Sequence, residues 1–97
     1  MRKLTFDWDK NKALSNQKKH KVSFQEAKSV FYDQNARLIH DPEHSLSEDR
    51  YILLGISHSS RLLVVCHCYQ KNGQVIRLIS ARLANSRERQ EYQEFLL

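Results

Sequence analysis

The dipeptide Asn72-Gly73, set between the apolar runs around Leu62–Val65 and Ile76–Ile79, constrains the fold of this chain more than any other feature. Asn-Gly favours a two-residue type I′ turn, because both central residues must adopt positive φ. Pairing Lys71 with Gln74 then sets a register in which Tyr69 opposes Ile76, His67 opposes Leu78, Val65 opposes Ser80 and Leu63 opposes Arg82. Side chains alternate along a strand, so the hairpin has two unlike faces. One carries Arg61, His67, Tyr69 and Arg82 and is expected to stay open. The other carries Leu62, Val64, Cys66, Cys68, Arg77, Ile79, Ala81 and Leu83, is the more apolar, and is expected to lie under helices. A single bulge would undo this assignment, since one extra residue moves every later side chain to the opposite face.

The remaining elements follow from caps and periodicity. Leu4–Trp8 alternates as a strand, and Asp9 is positioned to cap a cationic helix running to about His20. Ser23-Phe24-Gln25-Glu26 is a capping box: the Ser23 hydroxyl takes the Glu26 amide, the Glu26 carboxylate returns to the Ser23 amide, and Val22 with Ala27 adds the staple. It predicts a helix over Phe24–Tyr32 with Phe24, Ala27, Val30 and Phe31 buried. Ala36–His40 reads as a short strand, Asp41–Ser45 as a mobile loop, and Tyr51–Ser57 as a strand. A three-residue turn at His58-Ser59-Ser60 puts Ile52, Leu54 and Ile56 on the side of Val64 and Ile79, giving one consistent core face. A final helix capped at Asn85 or Ser86 carries Tyr92, Phe95 and Leu96 at helical spacing. The expected class is α+β: an antiparallel sheet with two N-terminal helices and a C-terminal helix packed on it, roughly β-α-α-β-β-β-β-α.

Ninety-seven residues suit one domain, 1–97, with a modest single core. The formal charge of +5 is uneven: residues 1–28 carry +5, 29–60 carry −3 and 61–97 carry +3. Such a dipolar surface suits a polyanionic ligand, although solvated Lys and Arg on exposed helix faces give the same pattern. Lys19, His20 and Lys21 complement the negative end of the first helix, whereas Lys10 and Lys12 sit at its wrong end and gain nothing from the dipole, which points to a ligand-facing role. Cys66 and Cys68 share one face of a strand, where a disulfide would be strained, so they read as reduced core thiols. Met1–Asp7 is not followed by an apolar leader segment, and the longest apolar run, Leu62–Cys66, is too short to span a bilayer; a soluble, cytoplasmic protein is expected. No metal or cofactor is expected. His67 points away from the flanking Cys66 and Cys68, His40 and His44 flank a proline turn without a third ligand, and two glycines make no phosphate loop.

The motifs Phe6-x-Trp8-Asp9-x-x-Lys12, Asn16-x-x-Lys19-His20-x-Val22-Ser23-Phe24-x-Glu26-Ala27, Glu48-x-Arg50, Arg61-Leu62-Leu63-Val64-Val65, Arg77-x-Ile79-Ser80-Ala81-Arg82 and Arg87-Glu88-x-x-x-Tyr92 resemble the BrnT family of type II toxins over nearly the whole chain. The resemblance implies a RelE-like ribonuclease that cuts RNA and arrests growth. It also implies a BrnA-like antitoxin whose ribbon-helix-helix part dimerises and binds operator DNA, giving a heterotetramer of two toxins and two antitoxins. On that reading Lys12, Lys19 and His20 are RNA contacts.

Cleaving RNA without a metal needs a base near the 2′-hydroxyl, cations on the phosphorane, and an acid for the leaving 5′-oxygen. Arg61 and Arg82 suit the second task, because a fixed guanidinium binds two phosphoryl oxygens at once. His67 suits the first or third. Tyr69 can donate a proton or stack on a splayed base. Arg77 joins the catalytic candidates through the motif, although the register puts it on the other face. Plainer roles stand beside these: a structural strand histidine for His67, ion pairs with Glu48, Asp49 or Glu88 for Arg61 and Arg82, and a helix C-cap for Lys19 and His20. A non-catalytic module that binds nucleic acid or a partner through its positive ends is the alternative.

Overall fold

The computed structural model describes residues 3–44 and 47–96. Its strands are β1 (Thr5–Asp7), β2 (Arg37–Asp41), β3 (Arg50–Ile56), β4 (Leu62–Gln70) and β5 (Val75–Leu83), and its helices α1 (Lys10–His20), α2 (Phe24–Ser29) and α3 (Ser86–Leu96). The strands form one sheet in the order β1-β5-β4-β3-β2, with β1 parallel to β5 and the other pairs antiparallel. The expected α+β class and element order are therefore observed, and the sheet is mixed rather than antiparallel throughout, because the expected first strand pairs parallel to β5. Of the Asp41–Ser45 loop, Pro42–His44 forms a 3-10 turn and Ser45 lies outside the described residues.

Local chemistry explains the element ends. The Asp9 carboxylate accepts the Lys12 N–H at 2.9 Å and the Ser23 hydroxyl accepts the Glu26 N–H at 3.0 Å, so α1 and α2 start where their caps predict. Lys21, at φ 59°, ends α1 in the left-handed region, and α2 runs on as a 3-10 turn over Val30–Tyr32. The return half of the expected capping box is replaced: the Glu26 carboxylate accepts from Ser57 Oγ at 2.7 Å and from Arg61 Nε at 2.9 Å. A full capping box forms at α3 instead, where Asn85 Oδ1 accepts the Glu88 N–H at 2.8 Å and Glu88 Oε1 accepts the Asn85 N–H at 2.9 Å.

The hairpin tip keeps the expected register but is wider than a two-residue turn: Lys71, Asn72 and Gly73 all have positive φ, of 51°, 59° and 83°, so Lys71 leaves the ladder and Lys71–Gln74 turn between the paired Gln70 and Val75, with the Gly73 N–H donating to the Gln70 carbonyl at 3.1 Å. The other turn forms as expected. Ser57 and Arg61 bracket three residues, with Ser60 at φ 61°, so Ile56 pairs with Leu62 and Leu54 with Val64.

Apolar clusters fill both sides of the sheet. The larger holds Val22, Phe24, Ala27 and Val30 from the helical layer against Leu53, Leu63, Val65, Ile76, Leu78 and Ala81. The smaller holds Leu54, Leu62 and Val64 against Ala84 and Tyr92 of the α3 segment. This corrects the expectation that the face bearing His67 stays open: it is the one that α1 and α2 cover. Across neighbouring strands that face gathers more aliphatic area than the hairpin alone shows, and burial of that area outweighs one polar ring.

Two close approaches seat the helical layer. A methyl group on Gly55 would meet Ala36 Cβ and Val30 Cγ1 at 2.9 Å, so a glycine is needed where the α2 extension crosses β3. Asn16, buried in the middle of α1, donates to the carbonyls of Val22 at 2.9 Å and Ala81 at 2.8 Å, and accepts the Ala81 N–H at 3.0 Å. β1 ends level with Arg77, so beyond that point this side chain takes over the outer backbone groups of β5.

Candidate active site

The hairpin register holds from the turn to His67, which pairs with Leu78, and then slips: Cys66 pairs with Ser80, Val65 with Ala81, Val64 with Arg82 and Leu63 with Leu83. Ile79 is the extra residue of a β-bulge. Every β5 side chain beyond it therefore stands on the face opposite to the one expected. Ala81 joins the larger core, while Ser80 and Arg82 join Arg77, which pairs with Cys68, on the α3 side of the sheet. Five positions apart, Arg77 and Arg82 would point oppositely in a regular strand. The bulge puts both on one face.

Rows of side chains run across that face: Arg50, Cys68 and Arg77 in one, Ile52, Cys66 and Ser80 in the next, and Leu54, Val64 and Arg82 in the third. Tyr92 and Ala84 bury the third row at its aliphatic end, leaving the polar end open. There, a cleft of about 250 Å³ is lined by Asp41, Arg50, Cys66, Ile79, Ser80 and Arg82 among others. A second cleft of about 200 Å³ is lined by Lys12, Ser15, Asn16, Lys19, His20 and the same Ile79 and Ser80. The two clefts share Ile79 and Ser80 at the bulge and are together termed the groove, with lysines and an imidazole in one part and arginines in the other.

Arg82 is held for service as a fork. Its Nη1 and Nη2 donate to the two Glu88 carboxylate oxygens at 2.8 and 2.9 Å, and Nη1 also reaches the Leu83 carbonyl at 3.2 Å. The Glu88 bond raises the Arg82 pKa, and Arg82 in turn holds Glu88 below the ordinary carboxylate range. Arg77 is ion-paired with Asp7 of β1. Burial pushes the Cys66 and Cys68 thiols up, and both are free thiols.

The other expected site residues lie elsewhere. His67 is 0 % exposed, with the Phe31 ring edge-on at 4.8 Å. Its Nδ1 lies 3.2 Å from the Val65 carbonyl, so Nδ1 carries the proton, and Nε2 accepts from the Tyr69 hydroxyl at 3.1 Å. Burial lowers its pKa and keeps the ring neutral. Tyr69, 39 % exposed, spends its hydroxyl on that bond and borders a separate cleft of about 730 Å³ with Lys3, Phe31 and the hairpin tip. Arg61 stands at the β3–β4 turn, bonded to Glu26 and, through Nη2, to the Lys21 carbonyl at 3.1 Å. Glu26 raises its pKa. The open polar face of Arg61, His67, Tyr69 and Arg82 is thus not formed. The groove unites Arg82 with Lys12, Lys19 and His20, sets Arg77 on the same face, and adds Arg50 and Ser80, to which sequence reasoning gave no role. The available signal was the motif itself, which keeps Arg77 and Arg82 together at a spacing that only a bulge reconciles.

This geometry yields an expected result for His67. Replacing it with phenylalanine should leave the RNA cleavage that the sequence resemblance implies within about threefold of wild type, whereas removal of a general base costs about 100-fold or more. Single-turnover cleavage rates decide between the two.

The model of a family described as the ribonuclease toxin BrnT of type II toxin-antitoxin systems matches residues 8–88. The crystal structure of the Brucella abortus ribonuclease toxin BrnT superposes with a TM-score of 0.65 at 19 % identity, covering 87 % of this chain and 100 % of that one, a likeness of fold. No curated protein matches the sequence.

Proposed function

Since the chain belongs to the BrnT family of ribonuclease toxins of type II toxin–antitoxin systems, we propose that it is a metal-independent endoribonuclease of messenger RNA whose reaction takes place in the groove over the Ile79 bulge. The supporting observation is that bulge, which gives Arg77 and Arg82 a common face beside Arg50. A phosphorane carries more negative charge than the diester it comes from, and preorganised guanidinium groups favour it differentially. Arg82 is the main candidate, because its two N–H groups already grip a carboxylate of the same shape as a phosphoryl edge. These cations supply the charge that a metal ion would otherwise bring.

On this reading Lys12 and Lys19 hold flanking phosphates from the other part of the groove, and His20 is the imidazole available to take the 2′-hydroxyl proton. His67 and Arg61, assigned to chemistry from the sequence, serve instead to fix the sheet and its turn. Tyr69 offers a stacking surface at the hairpin tip, apart from the groove. Inhibition by a BrnA-like ribbon-helix-helix antitoxin, assembly as two toxins on one antitoxin dimer, operator binding through the antitoxin alone, action in the cytoplasm and growth arrest complete the proposal. Among the described residues no helix is long and apolar enough to cross a membrane.

The test is cleavage of a labelled RNA by antitoxin-free protein in excess EDTA. Cutting that leaves cyclic phosphate ends is expected. Cutting that EDTA stops would overturn metal independence. RNA left intact by folded protein, both naked and in a translating extract, would overturn the nuclease reading in favour of a binding module.

A further inference from the structure

α1 is cationic on two opposite sides, and the groove uses one of them. Lys12, Asn16 and Lys19 fall on the stripe that faces β5, while Lys10, Leu14, Gln17 and Lys21 recur at intervals of four, three and four on the other. This outer stripe borders two clefts. One, of about 300 Å³, has Trp8, Ala13 and Phe24 in its walls, and the other, of about 820 Å³, is lined by Asn11, Lys18 and Lys21. Leu14 belongs to both and is 66 % exposed. Among the described residues, Lys10, Lys18 and Lys21 have no carboxylate partner.

A lone exposed leucine needs no explanation. This one stands beside an edge-to-face aromatic pair, Trp8 and Phe24 at 5.9 Å, and is ringed by ammonium groups. An apolar centre with a charged rim is the anatomy of a protein–protein interface. A phosphate backbone gains from the lysines but nothing from desolvating Leu14 and the exposed part of Trp8.

We propose that this outer face of α1 docks an acidic amphipathic segment of the antitoxin, with an apolar side chain seated against Leu14 and the half-buried Trp8, which Phe24 backs from the core, and carboxylates meeting Lys10, Lys18 and Lys21. The inference rests on the reading of the chain as a type II toxin, and adds a binding surface separate from the groove. Antitoxin bound here leaves Lys12 and Lys19 uncovered, so docking and blockade are carried by different antitoxin segments.

The test titrates the antitoxin isolated from its complex with this chain into wild type, Leu14→Glu, and the triple variant Lys10→Glu/Lys18→Glu/Lys21→Glu, with single-stranded RNA as a second probe. Leu14→Glu is expected to weaken antitoxin binding by about 100-fold. The triple variant is expected to lose about tenfold at low salt and less at high salt. RNA cleavage by Leu14→Glu should stay within about threefold of wild type. Unchanged antitoxin affinity in both variants overturns the proposal. Loss of RNA binding with antitoxin binding intact overturns it in favour of a nucleic-acid surface, and a Leu14-dependent dimer of the free chain overturns it in favour of a second copy. Absence of antitoxin binding by wild type itself overturns the toxin reading on which the inference rests.

Discussion

Replacing Arg82 with alanine is expected to lower the rate of RNA cleavage by about 100- to 1,000-fold while the protein stays folded, the cost of removing one preorganised donor from a developing oxyanion. The fold should survive because the Arg82–Glu88 pair lies near the surface, with side chains 42 % and 23 % exposed, and such pairs contribute about 1 kcal/mol or less. Glu88 also retains its bond with Asn85 at the start of α3. Arg82→Lys separates charge from geometry: an ammonium keeps the positive charge but not the fork, so it should recover only part of the rate. Thermal melts beside single-turnover kinetics read both quantities. A variant that cuts RNA at the wild-type rate would remove the groove over the bulge from consideration as the reaction site.

Glu26→Gln is expected to act on stability instead, lowering it by about 2–3 kcal/mol and the melting temperature by about 10–20 °C. Glu26 is nearly enclosed, and its carboxylate accepts from Arg61 and Ser57, joining the start of α2 to the β3–β4 turn. Glutamine leaves Arg61 with a neutral partner. The effect sits below the range for fully buried pairs because the Arg61 side chain remains 34 % exposed.

The same pair sets an acid limit. The hydrogen bond from Arg61, against the opposing effect of burial and with help from Ser57, holds the Glu26 carboxyl below its ordinary value of 4.5. A depressed folded-state pKa contributes stability that is fully present above the unfolded value and fades as pH falls through the folded one. Glu88 and Asp33 are depressed too. For Asp33 burial pulls upward, but the Ile56 N–H, the Tyr92 hydroxyl and the Asn35 N–H together outweigh it. The wild-type urea midpoint should therefore decline as pH drops below about 4.5, and Glu26→Gln should decline less steeply. Parallel profiles for the two proteins would show that Glu26 has no part in the acid limit.

What was legible in the sequence was local. Asp9, Ser23 and the three residues after Ser57 each act on backbone within a few positions, and each produced the turn or helix start expected of it, while Asn72-Gly73 set the expected register through a tip that also takes in Lys71. The bulge at Ile79 was not legible from the residue itself, because an isoleucine looks the same in a ladder or out of it, and only the motif spacing of Arg77 and Arg82 hinted at it. That one residue reversed the side assigned to Arg82 and Ser80. His67 misled for another reason: an imidazole that satisfies both nitrogens on its own strand, at Val65 and Tyr69, is as easily enclosed as an aliphatic side chain. Glu26 has the spacing of a capping partner for Ser23, whereas its carboxylate bonds Arg61 thirty-five positions on, beyond the reach of any spacing rule. Cationic residues of the groove were found where charge was out of place for the helix alone, as with Lys12, or fixed by motif, as with Arg82.

Asn16 also bears on how molecules of this protein avoid one another. A sheet with two long free margins can add neighbours without end, whereas one with a single such margin stops at a pair. Here β1 blunts one margin with three residues, and the Asn16 amide continues the closure at Ala81. β2, with Leu38 and Ile39 exposed, is the longer margin left to strand pairing. A single carboxamide in the middle of a helix thereby pairs the outer N–H and C=O of Ala81, so that stretch of β5 presents no free backbone groups for another strand to extend.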